Sequence, residues 1–382
     1  MKPPTLPFRL HHLLCILNQY EVQPHPLDLF LKNYFRLHHA VGSKDRKEIC
    51  ETLYGLIRWR GLIDHFCPRP IRWEDRVRCF QTLKPLDHLS DQAIPPHVRV
   101  SFPKEFFSLL ENQLGVEKAW EFCLASNQTA PTTIRINPLK TSRQALLAGW
   151  EGRFALTPCT HSVLGISFLK KENFFALPEF KQGLFEIQDE ASQLIADLVD
   201  PNPSDQVLDY CAGAGGKTLA FAHKLKGRGQ IYLHDIRSHA LQEAKKRLKR
   251  AGIQNGQILP AEAAHKHRLK GHFDWILVDA PCSGTGTLRR NPDMKWRFDP
   301  EALQRLTQLQ RTLVQEALSF LKPNGRIVYA TCSVLPQENR EQLLFFEQEL
   351  GLHLVKPPLE TFPLPGQMDG FFGAVLTSKT KH

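Results

Sequence analysis

Up to about residue 92, apolar residues recur at spacings of three and four. Leu10, Leu13, Leu14 and Leu17 form one such series, and Ile49, Leu53, Leu56 and Ile57 another. That period predicts amphipathic helices. Pro24 and Pro26 end the first helix, and Ser43 is placed to cap the second. Arg58 and Arg60 fall near the predicted end of that second helix, where cations suit its dipole. The pattern alone describes a small helical bundle with solvated charges. From 93 to 182 the period is lost. Prolines at 95, 96 and 103 punctuate the entry, and a helix is predicted over 104–126. Thr132–Ile136 alternates like a strand and stops at Asn137-Pro138; a helix over 142–147 and a strand over 165–169 follow. This is a small α+β lobe. From 183 onward, short apolar runs alternate with helical segments. Strands are predicted at 206–210, 230–235, 256–259, 273–279, 325–331, 352–355 and 371–376, with helices at 215–226, 237–251, 300–321 and 336–350 between them. Such alternation specifies an α/β fold with a doubly wound parallel sheet. The predicted domains are 1–92, 93–182 and 183–382.

Composition adds two constraints. Lys and Arg number 49 against 39 acidic residues, a net charge of +10, which favours a polyanionic partner, nucleic acid first. The nine cysteines are scattered, with no Cys-x-x-Cys pair, so neither a disulfide framework nor a zinc site is expected. The N-terminus shows no signal-peptide core. No apolar run approaches the roughly 20 residues of a spanning helix. The expectation is a soluble, cytoplasmic protein that binds no membrane and acts as a monomer.

Chemistry gathers at strand ends. The run Trp275-Ile276-Leu277-Val278 leads into Asp279, Ala280, Pro281 and Cys282, and proline stops the strand there. A second run ends in Thr331, Cys332 and Ser333. In an open α/β sheet, ligands bind just beyond such carboxyl ends. A glycine turn, Cys211-Ala212-Gly213-Ala214-Gly215-Gly216-Lys217, follows the 206–210 strand. It is not a Walker A loop, because Cys211 stands where that motif needs glycine. Asp235, at the next strand end, lies where an acid takes ribose hydroxyls. Turn and acid together imply a nucleoside cofactor, equally a dinucleotide or S-adenosylmethionine. Cysteine is often a small buried hydrophobe, and Cys15, Cys50, Cys79 and Cys123 are read so. Cys282 and Cys332 differ, because Arg289, Arg290, Lys295 and Arg297 follow the first closely and positive charge favours the nucleophilic thiolate.

The Asp279-to-Gly284 run, the segment from Arg289 to Trp296 and the stretch from Tyr329 to Ser333 with Glu338-Asn339 resemble the RsmB/NSUN family of RNA cytosine-5 methyltransferases. So do Arg135-Ile136-Asn137, the run from Gln188 to Ser192, and Asp369-Gly370-Phe371-Phe372; together these span about two thirds of the chain in order. The segments from Gly42 to Arg46 and from Leu53 to Trp59 resemble the NusB-like domain of the bacterial ribosomal RNA branch. The resemblance implies a Rossmann-like methyltransferase sheet, preceded by a small α+β RNA-binding lobe and an all-α NusB-like domain. It implies S-adenosylmethionine, held by residues 211–217, Asp235, Asp279 and the position of Ala261. The family usually places an aspartate at that last position, so either Glu262 substitutes or backbone and packing hold the adenine. His265, His267 and His272 lie among Lys266, Arg268 and Lys270 and are read as a solvated basic loop rather than a metal site.

The resemblance further implies Cys332 as nucleophile on carbon 6 of cytosine, Cys282 assisting release, and Asp279, supported by Lys217, holding the base. Arg289, Arg290, Lys295, Arg297 and Arg135 would contact RNA, as would 245–250 if that face is not merely solvated. Ribosomal RNA of the small subunit is the first substrate, transfer RNA the second. Two rivals stay open. A DNA-type cytosine-5 enzyme would use Cys282 for the adduct. A non-catalytic RNA-binding factor would explain the charge but not two thiols at strand ends.

Overall fold

Strands β1 (Thr132–Ile136), β2 (Leu156–Pro158), β3 (Gly165–Phe168) and β4 (Phe185–Ile187) pair antiparallel in the order β2-β3-β1-β4. This is the α+β lobe. Its core is Ile134, Ile136, Trp150, Ile166, Phe168 and Phe185, with the Trp150 indole N–H donating to Glu179 at 2.9 Å. The computed structural model describes residues 6–22, 26–170, 172–259 and 269–378.

The larger sheet has eight strands: β5 (Gln206–Asp209), β6 (Gln230–Leu233), β7 (Gly256–Ile258), β8 (Phe273–Asp279), β9 (Leu321–Thr331), β10 (Leu352–Leu354), β11 (Leu359–Glu360) and β12 (Phe372–Ser378). Their order is β10-β12-β9-β8-β5-β6-β7, with β11 beside β12. β5 to β9 run parallel, and β12 lies antiparallel to β9. The parallel strands are nearly continuous apolar runs because helices cover both faces. The order reverses at β5, with β6 on one side and β8 on the other. That is the switch point at which ligands enter such sheets. The fold is the doubly wound α/β sheet that the alternation predicts, with an antiparallel edge beyond β9.

The lobe and the sheet form one compact unit, residues Ala130–Gly286 and Asp299–His382. They are joined by a buried polar seam. Glu186 of β4 accepts from Arg247 at 3.0 Å and Arg250 at 2.5 Å, and Asn137 donates to the Gly183 and Ala251 carbonyls at 2.9 Å each.

The second unit comprises the residues up to Thr129 together with Thr287–Phe298. Helices Phe8–Val22, Leu27–Leu37, Ser43–Phe66 and Trp73–Thr82 pack around Leu13, Ile16, Leu17, Leu53, Leu56, Ile57, Trp73 and Val77. Cys15, Cys50 and Cys79 pack against this cluster as small hydrophobes, and Cys123 is fully buried. Three expectations are corrected here. The third helix continues past Arg58 and Arg60 to Phe66, with a kink at Trp59, and begins after Gly42 without a side-chain cap from Ser43. The 104–126 helix is two helices, Lys104–Leu114 and Val116–Ser126, because Gly115 takes φ +81°. These two belong to the same compact unit as the N-terminal helices, which runs to Thr129 and not to about 92.

The basic segment after Cys282 is the largest difference. Lys295 is 1% exposed, and its ammonium donates to the Arg58 carbonyl at 2.7 Å and to Asn127 Oδ1 at 2.6 Å, 4.4 Å from the Phe102 ring. Burial holds its pKa well below the ordinary lysine value. Arg289 is buried too, and its carbonyl accepts from Arg58 at 2.8 Å. Phe298 stacks on Phe106 at 4.1 Å. Lys295 and Arg289 are therefore internal struts of the helical unit, not phosphate contacts. Arg290 is half-buried, and Arg297 is exposed with its guanidinium on Asp293 at 2.7 Å. Arg135 is corrected likewise: burial lowers its pKa to about 10, and its Nε donates to Gln188 at 2.7 Å. In 245–250, Lys245, Lys246 and Lys249 are exposed while Arg247 and Arg250 belong to the Glu186 seam.

The two readings of Lys295 differ in outcome. Lys295→Ala is expected to destabilise the helical unit by about 2–4 kcal/mol, the scale for a lost buried hydrogen-bonded group. It should leave the salt dependence of RNA binding unchanged. A thermal melt and an RNA titration over a salt series check both; a flattened salt slope would restore the phosphate-contact role.

Candidate active site

Parallel pairing of β8 and β9 sets Asp279 opposite Ala330. Both strands end within a residue of that pair, so their loops leave the sheet side by side. Cys282 follows one and Cys332 the other, and the two sulfurs stand 3.4 Å apart. The Cys332 backbone N–H also donates to the Cys282 sulfur at 3.3 Å. The hydrogen bond with Cys332, then burial, pushes the Cys282 thiol pKa well up. Cys282 thus holds its proton at neutral pH.

Lys217, from the helix that follows β5, donates to Asp279 Oδ2 at 2.6 Å. Burial works against a charged ammonium there, but Asp279 outweighs it and the lysine pKa is raised; Cys332 contributes in the same sense. Lys217 Nζ also lies 5.4 Å from the centroid of the Phe371 ring. The motif around Gln188 supports this region from below. Asp189 caps its own helix by accepting from Ala191 N–H at 2.9 Å, and its Oδ1 accepts the Asp369 N–H at 3.1 Å. Gly370 and Gly286 then meet backbone to backbone. The Gly370 N–H donates to the Gly286 carbonyl at 2.9 Å, and a Cβ on Gly286 would sit 1.9 Å from the Gly370 oxygen.

The glycine turn occupies the switch point. Gly215 has φ +75°, a backbone conformation that favours glycine, and a Cβ there would stand 3.2 Å from the Ala244 Cβ. Asp235 accepts the Gly213 N–H at 2.8 Å, and the Arg237 N–H, Nε and a guanidinium nitrogen at 2.8, 3.0 and 3.0 Å. Burial alone would raise the Asp235 pKa, but these donors hold it below the usual carboxylate value. Cys211 and Ala212 start the turn; burial pushes the Cys211 thiol far up. Ala261 and Glu262, with His265 and His267, lie outside the described residues. His272 rests against Tyr232 and Phe273.

The structure thus brings together Cys282, Cys332, Asp279, Lys217, the glycine turn and Asp235, all within one unit. Three further residues escaped the sequence reading, and a fourth entered it only as part of a family motif. Asp209, at the end of β5, accepts the Thr218 hydroxyl at 2.5 Å, while its other carboxylate oxygen is buried with no hydrogen-bond partner among the described residues. Ile236 is 86% exposed immediately beside Asp235. Arg237 is the third. Glu338 is the fourth, fully buried against the Cys282 loop. An acid inside an apolar strand was the available signal for Asp209; Ile236 and Arg237 carry none, and for Glu338 the signal was its place in the Glu338-Asn339 motif.

A family model described as 16S rRNA methyltransferase RsmB/F matches residues 196–377. Ribosomal RNA small subunit methyltransferase B of Enterobacter sp. is 33% identical over 400 aligned residues, covering 89% of this chain and 92% of that protein. The chain belongs to the RsmB/F family. The same protein of Sodalis glossinidius is 30% identical, over 87% of this chain and 77% of its own length. Among solved structures, PH0851 gives a TM-score of 0.79 at 22% identity over 99% of this chain and 100% of its own. A methyltransferase homolog from Pyrococcus horikoshii gives 0.64 at 27% identity, over 77% and 99%. The first of these shows the fold.

RsmB/F enzymes are S-adenosylmethionine-dependent, and the residues present fit that cofactor. Asp209, bonded through one oxygen to Thr218, closes the strand that leads into the turn. Space is open where a Cβ on Gly216 would stand. Ile236 leaves an apolar face bare beside the Asp235 carboxylate, suited to the flat face of a base.

Burial pushes the Asp209 carboxyl up to about 7 from an ordinary 3.8. Below about pH 4 it is protonated in folded and unfolded chains alike, and its contribution to stability is fully present. Between about pH 4 and 7 the folded chain keeps a proton that the unfolded chain releases, so stability falls by about 1.4 kcal/mol per pH unit. Asp209→Asn removes that slope. Relative to wild type, the variant is expected to gain about 3 kcal/mol between about pH 5 and 7.5, read from urea midpoints. A constant difference across that range would mean that Asp209 does not titrate there.

Proposed function

We propose that this chain methylates carbon 5 of a cytidine in 16S ribosomal RNA, in the cytoplasm, through a covalent adduct between Cys332 and carbon 6 of the base. The observation that carries this reading is the 3.4 Å approach of two thiols beside the Asp279–Lys217 pair. One thiol alone would serve addition; a second, protonated one at the same place serves a reaction that must also reverse. The relatives' names supply the RNA.

Carbon 5 of cytosine is too weak a nucleophile to take a methyl group unaided. The Cys332 thiolate forms a bond to carbon 6, and the electrons of the 5,6 double bond move toward carbon 5 and the ring nitrogen. Asp279 accepts from the exocyclic amine and shares a proton with the ring nitrogen, so that the negative charge developing there is neutralised. Lys217, ion-paired to Asp279, fixes that carboxylate in place. When bound, S-adenosylmethionine supplies the methyl group to carbon 5. The glycine turn from Gly213 to Lys217 and Asp235 would hold it, with the exposed Arg237 side chain turning outward so that Asp235 can take ribose hydroxyls. The carbon 5 proton then passes to water, the carbon–sulfur bond breaks to return the Cys332 thiolate, and the 5,6 double bond reforms. Cys282, adjacent to the departing sulfur, assists this release. The target base must be unpaired or flipped to reach the strand ends. The α+β lobe and the NusB-like helical unit would bind the surrounding RNA, with Arg290 and Arg297 at phosphates.

The test compares Cys282→Ala and Cys332→Ala, each mixed with S-adenosylmethionine and RNA from cells lacking this protein. Cys282→Ala is expected to accumulate a protein–RNA adduct that survives a denaturing gel, and Cys332→Ala to form none. Sequencing the trapped RNA identifies the cytidine. An adduct only with Cys332→Ala would reverse the thiol roles and favour the DNA-type mechanism. Asp279→Ala should lower kcat about 100- to 1000-fold, the scale for losing one electrostatic stabiliser.

A further inference from the structure

Glu338 is a carboxylate with 0% exposure. Burying such a group is costly unless donors surround it. Its donors come from the Cys282 loop and from Gln310 on the helix Pro300–Leu318. Oε1 accepts the Ser283 N–H at 2.8 Å and Gln310 Nε2 at 3.0 Å, and Oε2 accepts the Ser283 hydroxyl at 2.5 Å. The same Gln310 amide donates to the Pro281 carbonyl at 3.0 Å. Gln310 is itself fixed by Tyr329, whose hydroxyl lies 3.1 Å from Gln310 Oε1 and 2.7 Å from the Glu338 carbonyl. Pro281 and Ser283, the residues on either side of Cys282, are therefore both gripped through Glu338 and Gln310.

The next residue repeats this arrangement on the other thiol. Asn339 Oδ1 accepts the Thr331 hydroxyl at 2.6 Å, and its Nδ2 donates to the Ser333 carbonyl at 2.9 Å. Thr331 and Ser333 flank Cys332. Adjacent residues on one short turn thus bracket the two thiols, one each. Neither side chain is aimed at a substrate.

We propose that Glu338 and Asn339 are positioning residues that set the separation of the two thiols, Glu338 fixing Cys282 for adduct release and Asn339 fixing Cys332 for adduct formation. The inference rests on the two-thiol reaction proposed above. It assigns opposite defects to neighbouring residues. A residue that only held the fold together would weaken both steps at once.

The experiment runs Glu338→Ala and Asn339→Ala beside wild type, Cys282→Ala and Cys332→Ala, with the same RNA and S-adenosylmethionine, on denaturing gels over time. Glu338→Ala is expected to accumulate adduct roughly tenfold above wild type, and Asn339→Ala to form it roughly tenfold more slowly without accumulation. Glu338→Gln, which keeps an acceptor for the Ser283 N–H, should restore most of the release. Ser283→Ala and Thr331→Val take one donor from each grip and leave the buried Glu338 and Asn339 in place. They should reproduce the two defects more weakly if the alanine variants fail to fold, as melting and calorimetric cofactor binding would reveal. The same defect in both members of either pair, or wild-type adduct levels in folded variants, would overturn the proposal. No adduct from Cys282→Ala would instead overturn the release reading on which it rests. Adduct from Cys282→Ala with none from folded Glu338→Ala would overturn the role of Glu338 alone.

Discussion

Two sulfurs can stand in contact only if the loops that carry them cannot part. Everything around Cys282 and Cys332 serves that constraint. The parallel register of β8 and β9 brings the two strand ends level. Glu338, Gln310 and Asn339 then hold the four residues that flank the thiols. The Asp189–Asp369 contact and the Gly286–Gly370 backbone pair close the same region from beneath. Because the sheet supplies the level and buried polar groups supply the hold, the site is preorganised before any RNA arrives.

Much of this was legible in the sequence because the signals were local. Apolar runs ending in Pro281 or in Thr331 mark strand ends without any knowledge of the sheet. A glycine turn after a strand, followed by an acid at the next strand end, marks a nucleoside pocket. Cys15, Cys50 and Cys79 pack against the helical core as expected of small hydrophobes, and Cys282 and Cys332, read as strand-end thiols, meet at 3.4 Å. What could not be read was burial of charge. Lys295, Arg289 and Arg135 look like phosphate contacts in a basic chain, and only tertiary packing turns each inward. The partners that make this tolerable, Asn127 and the Arg58 carbonyl for Lys295 and Gln188 for Arg135, lie from 53 to 237 positions away in sequence. Glu338 was legible only as part of the Glu338-Asn339 motif; its burial against the Cys282 loop was not. Gly115 was a simpler miss, since one glycine at positive φ splits what its flanking periodicity presents as a single helix.

Arg237 and Asp235 show a charge pair whose strength suits a site that must exchange ligands. The guanidinium is 58% exposed and the carboxylate 4%. Pairs of that kind are worth at most about 1 kcal/mol, because water competes for the cation. The acid is thereby kept ionised and oriented, yet the arginine can be displaced at small cost. Lys217 and Asp279 are the contrast. Both are largely shielded, and their pair is built to stay.

The path of the chain has a practical consequence for anyone dividing this protein into parts. The polypeptide leaves the catalytic unit after Gly286, spends Thr287–Phe298 inside the helical one, and returns at Asp299. A fragment begun at Ala130 would carry that excursion with it, stripped of everything it packs on. Lys295 would lose the Arg58 carbonyl, Trp296 the Ile57 carbonyl that its indole holds at 2.7 Å, and Phe298 the ring of Phe106. Such a fragment would display an apolar, cationic loop one residue from the strand-end loop that bears Cys282. A workable catalytic fragment must therefore excise 287–298 and bridge the gap. Co-expressing the helical part as a separate chain would be the other route, provided it re-embraces the excursion from outside.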